Sequence, residues 1–91
     1  MLIMTKYFLI TVMCAEGVEG HLTNNIRKFK PTNYTSERTN TGRDGAEASL
    51  GYRIQILCTK DLYFQITNYL QQYYVKDFGI VYYMQEVDVP M

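Results

Sequence analysis

Three patterns predict an α+β chain folded as a ferredoxin-like βαββαβ sandwich. An apolar, β-branched run lies near the start, and an alternating apolar–polar run follows the midpoint, both with strand character. Two longer segments carry apolar residues three and four apart, the spacing of a helix face. Turn-forming residues separate these runs in the order strand, helix, strand, strand, helix, strand. With 91 residues, a single domain over 1–91 is expected.

Residues 7–14, YFLITVMC, read as a central strand. In AEGVEGHLTNNIRKF, Val18, Leu22, Ile26 and Phe29 fall on one helical face. Pro31 ends that helix, because its ring forbids the next intrahelical bond. Asn33 to about Arg38 reads as the second strand, and Thr39 to Gly51 as a polar loop. YRIQILCT alternates as a half-buried strand does. The segment 60–78 is the clearest helix, with Leu62, Ile66, Tyr69, Leu70 and Tyr73 sharing a face and Asp61 near its positive end. Gly79 breaks it, and IVYYMQEVDV forms the last strand. That strand places Ile80, Tyr82 and Met84 on one side and Val81 and Tyr83 on the other. Both sides are apolar, so the sheet face away from the helices is expected to be covered by other copies of the chain.

Composition narrows the function. Hydrophobic residues make up 47%, enough for a packed core. Lys plus Arg equals Asp plus Glu at 9 each, so no basic face speaks for nucleic acid. The apolar run near Tyr7 is too short to span a bilayer and lacks a preceding basic segment, which favours a cytoplasmic protein over a secreted one. Cys14 and Cys58 form no CxxC pair and read as small buried side chains. Tyrosine occurs nine times, several between Tyr69 and Tyr83, which suits a subunit interface. His21 is the one histidine and reads as solvent-exposed. A single histidine assembles no nucleophile–base relay, and no carboxylate pair has a catalytic signature, so an enzyme is not expected.

The central loop carries the most specific feature. In Gly42-Arg43-Asp44-Gly45 the two glycines let the backbone turn sharply and bring N–H groups toward an anion. Arg43 offers a planar fork to phosphate or carboxylate.

The element order, together with NYTSERTNTGRDG ahead of a polar loop, resembles the PII family of trimeric signalling proteins. Thr35 matches the threonine of the family's second strand, and Gly42 and Arg43 match its Gly-Arg pair. Arg53-Ile54-Gln55-Ile56 stands where the family has a K-I-E-I pattern. The ending KDFGIVYYMQEVDV is similar to that of the PII-like (SbtB-like) regulators of bicarbonate transport. The resemblance implies a PII-like homotrimer that binds an adenine nucleotide in clefts between subunits. Residues 39–51 would be a flexible, T-loop-like segment that acts on a transporter, and so brings the protein to a membrane, or on an enzyme. It implies that Arg43 holds phosphate, that Gly42 lets the backbone approach, and that Thr35 lines the base pocket. Val12, Gln55 and Leu57 would form the cleft wall. Phe78 and Gly79 match the short turn that replaces the basic B-loop in the PII-like branch. Because that B-loop is absent, AMP, ADP or cyclic AMP is expected rather than a triphosphate, with no covalent cofactor and no metal.

Two other readings stay open. Cys14, Glu16 and His21 lie close in sequence, and Cys58 would join them if the two central strands ran parallel, giving a metal-handling protein. Alternatively the fold is a ligand-free structural adaptor.

Overall fold

The computed structural model describes residues 3–39 and 51–90. The chain runs β1 (Met4–Cys14), α1 (Glu16–Arg27), β2 (Asn33–Arg38), β3 (Tyr52–Cys58), α2 (Lys60–Leu70), a π-helical turn (Gln71–Val75), α3 (Lys76–Phe78) and β4 (Val81–Pro90). This is the expected βαββαβ order. The four strands form one sheet in the order β2-β3-β1-β4, and every neighbouring pair is antiparallel. The central strands therefore do not run parallel. Cys14 pairs across from Tyr52, whereas Cys58 pairs across from Phe8, so the two cysteines stand at opposite ends of the sheet. The arrangement that would have brought Cys58 to Cys14 and His21 is not adopted. No group of three or more metal-binding side chains forms among the described residues.

Strand alternation divides the sheet cleanly. Phe8, Ile10, Val12 and Cys14 of β1, with Ile54, Ile56 and Cys58 of β3, face the helices and are buried. Leu22 and Ile26 of α1, Ile66 and Leu70 of α2, and Tyr74 complete that core. The expected helix faces were right in their centres: Val18, Phe29, Leu62 and Tyr69 pack around its edge.

Two elements depart from the sequence reading. β1 begins at Met4, ahead of the apolar run, because Met4, Thr5 and Lys6 pair with Pro90, Val89 and Asp88. Lys6 also meets Glu86 at 3.3 Å. Backbone pairing, not apolarity, carries that strand end. In the second long helix, Tyr74 is buried and Tyr73 is exposed. A π turn spans this stretch; its extra residue per turn shifts the inward face so that Tyr74, four residues after Leu70, is the one buried. No described helix is long and apolar enough to cross a membrane.

Candidate functional site: the open sheet face

The opposite face of the sheet has no helix on it among the described residues. It carries Tyr7, Leu9, Thr11 and Met13 of β1, Asn33, Thr35 and Glu37 of β2, Arg53, Gln55 and Leu57 of β3, and Val81, Tyr83, Gln85 and Val87 of β4. The register sets these out in rows. Thr35, Gln55, Thr11 and Tyr83 form one row across all four strands, and Glu37, Arg53, Met13 and Val81 form the next. Val81 and Tyr83 are 52% and 53% exposed, large apolar surface on an uncovered face. Thr11 sits on the central strand at 1% exposure, and its hydroxyl has no hydrogen-bond partner among the described residues.

A shallow depression of about 210 Å³ opens on this face, lined by Leu9, Asn33, Tyr34, Thr35, Gln55 and Leu57. Three residues singled out from the sequence, Thr35, Gln55 and Leu57, are thus brought together by β2–β3 pairing. Val12 is not with them. It is fully buried on the helix face, opposite Ile54 and Tyr82, and is a core residue. A one-residue step along a strand switches faces, and the β1 residue that lines the depression is Leu9. Leu9 and Asn33 were missed: alternation from Thr35 on the same strand would have found Asn33, whereas Leu9 follows only from the β1–β3 register.

The expected loop 39–51 leaves the sheet beyond Arg38. Its base is described: the Thr39 N–H donates to the Gly51 carbonyl at 2.8 Å. Gly42, Arg43 and Gly45 lie outside the described residues. Around this base the polar contacts are dense. Arg38 meets Glu16 of α1 at 3.2 Å and lies over the Tyr52 ring, 5.3 Å from its centroid. The Ser36 hydroxyl donates to Glu19 Oε2 at 2.7 Å. On the open face, Arg53 Nε and Nη2 both donate to Glu37 Oε1, at 3.0 and 2.5 Å. The Glu37 hydrogen bond and charge hold the Arg53 guanidinium above its ordinary value.

Phe78 and Gly79 close the second long helix at the same end of the sheet, since β4 starts two residues later beside Met13. Gly79 takes φ 64°, a left-handed cap that glycine adopts freely. Phe78 does not reach the open-face depression. It lines a separate groove of about 600 Å³ with His21, Tyr69, Tyr73, Tyr74 and Asp77. His21 is exposed but engaged there. Asn25 Nδ2 donates to the Tyr74 hydroxyl at 2.8 Å, and that hydroxyl lies 2.8 Å from His21 Nδ1. The Tyr74 hydroxyl thus ties α1, through Asn25 and His21, to the end of the second long helix.

Burial pushes the Cys14 thiol up to about 11, with Glu19 adding to the effect, and pushes Cys58 up to about 11 as well. Neither is a ready thiolate for metal or nucleophilic chemistry.

No protein-family model matches the sequence, and no curated protein does. Solved structures match over nearly the whole chain. The apo form of CPII, a nitrogen regulatory PII-like protein of Thiomonas intermedia K12, superposes with a TM-score of 0.85 at 11% identity, covering 100% of this chain and 99% of that one. CPII bound to ADP, AMP and bicarbonate gives 0.80 at 10% identity, covering 96% of each chain. A protein of Thermus thermophilus described as PII-like gives 0.79 at 17% identity, covering 94% of this chain and 90% of that one. The fold is therefore PII-like. At these identities the likeness is one of architecture, and the chemistry must come from the side chains themselves.

Proposed function

We propose that the protein is a non-enzymatic, PII-like signalling protein. It forms a homotrimer through its open sheet face and binds an adenine nucleotide in the clefts between subunits. The observation that carries this reading is the open-face depression, where Thr35, Gln55 and Leu57 converge beside the base of the central segment. The apolar side chains of Val81 and Tyr83 favour covering that face with protein. The likeness to CPII, whose structure has been solved with ADP, AMP and bicarbonate bound, supports the choice of ligand.

In this mechanism the second copy turns a shallow depression into a cleft. Thr35 and Gln55 supply hydrogen-bonding groups to the base or ribose, and Leu57 and Leu9 supply apolar wall. Arg43 pairs with phosphate, with Gly42 and Gly45 giving backbone access, while the Phe78–Gly79 turn stands at the same end of the sheet without entering the depression. The bound nucleotide then fixes how residues 39–51 meet a regulated partner, a transporter of bicarbonate or another small anion being the favoured class. The protein acts in the cytoplasm and reaches a membrane only through that partner.

Calorimetry with AMP, ADP and cyclic AMP tests this. Saturable heat with at least one is expected, and Arg43→Ala should weaken it by roughly tenfold to a hundredfold, the loss of a charge-assisted bond. No heat with any of them at millimolar concentration would remove the sensing role.

A further inference from the structure

We infer that Arg53 is a second phosphate-binding residue of the nucleotide site, and that Glu37 holds it as an internal competitor until ligand arrives. This rests on the nucleotide-binding reading above.

The described strand positions of the open face are neutral with two exceptions, Glu37 and Arg53. An exposed ion pair on a face otherwise made of Tyr, Thr, Gln, Asn, Leu, Met and Val needs a reason, because such pairs contribute little to stability. Its position supplies one. Arg53 and Gln55 are alternate residues of β3, about 7 Å apart and on the same side. Thr35 and Glu37 stand in the same relation on β2. The ion pair is thus the row next to the depression, on the side where the central segment leaves the sheet. With a nucleoside seated against Thr35, Gln55 and Leu57, a 5′ substituent directed toward the central segment would run along this column.

The pairing geometry is that of an exchangeable partner. Both Arg53 donors converge on one oxygen, Glu37 Oε1, so the guanidinium is not engaged as a two-oxygen fork. In the isolated chain the Arg53 and Glu37 side chains are 41% and 55% exposed, and the pair lies on the β2–β3 side of the face, away from Val81 and Tyr83 on β4. A phosphate offers two oxygens to the same fork and carries more charge than the carboxylate it displaces. Glu37 then becomes the group that sets how readily the site fills, since its charge both occupies Arg53 and repels the ligand.

The experiment is calorimetric titration of adenosine, AMP and ADP into the wild-type protein, Arg53→Met and Glu37→Gln. Arg53→Met keeps most of the stem and removes the charge. It should weaken AMP and ADP by roughly tenfold or more while leaving adenosine unchanged. Glu37→Gln should tighten AMP and ADP several-fold, again with adenosine unchanged. If Arg53→Met leaves all three alike, Arg53 is not a phosphate contact. If it weakens adenosine as much as ADP, Arg53 acts by supporting the sheet, and the inference fails equally. Should wild type bind AMP and ADP while Glu37→Gln weakens them, the competitor role is wrong. Should wild type bind none of the three, the nucleotide reading itself fails, a result distinct from the others.

Discussion

At the scale of single residues, the polar groups beneath the helices are as informative as the apolar ones. Tyr74 is 1% exposed, yet its hydroxyl joins Asn25 and His21 across two helices. Tyr74→Phe would leave the Asn25 amide without that partner in a part-buried position. It should lower stability by about 1–2 kcal/mol, read as a fall in urea midpoint with an unchanged slope. The two thiols give a pH signature. Their folded values lie near 11 against an ordinary 9.0, so the fold favours the neutral thiol. That contribution is complete below pH 9 and is lost as pH rises through the folded value. The urea midpoint should fall between pH 9 and 11, and the fall should be shallower in Cys14→Ala/Cys58→Ala. Sequence spacing alone could not show that Tyr74 rather than Tyr73 is buried, because a π turn has no residue signature in QQYYV.

At the scale of elements, the strand and helix order was legible from periodicity and from Pro31 and Gly79, which act through backbone geometry at their own positions. Gly79 shows how local that information is. Its φ of 64° ends the second long helix and turns the chain into β4, with open space where a Cβ would stand. Gly79→Ala should therefore destabilise by conformational strain alone, about 1–2 kcal/mol, measurable as a lower melting temperature without loss of the fold. What the sequence did not reveal was strand register. Val12 looked equivalent to Leu57 as an apolar strand residue, but pairing opposite Ile54 puts it in the core. Thr35, Gln55 and Leu57 came out together because they alternate within two strands that pair directly with each other. The early start of β1 escaped notice for a related reason: Met4–Lys6 owe their strand state to β4, a partner far away in sequence.

At the scale of the whole molecule, the described residues give the sheet one dressed face and one bare face. The helix side holds the buried core, whereas the bare side presents Val81, Tyr83, Leu9 and Met13 around the nearly buried Thr11. Such a face on a 91-residue chain is a natural place for copies to meet. Tyr83→Asp would place an unpaired charge in that contact. It should raise the dissociation constant of the assembly by a factor of ~100 or more, since an uncompensated buried charge is strongly unfavourable, while the circular dichroism of the isolated chain stays unchanged. The two-faced character was readable in the sequence, because both sides of IVYYMQEVDV are apolar and the sequence pattern offers no third long helix to cover the second. Sedimentation equilibrium on the wild-type protein probes the shared premise of the cleft and its ligand most directly. A mass three times the 10.7 kDa of the chain is expected at micromolar concentration, shifting to lower mass in Tyr83→Asp. A wild-type mass of 10.7 kDa at every concentration would contradict it, since the clefts require more than one copy.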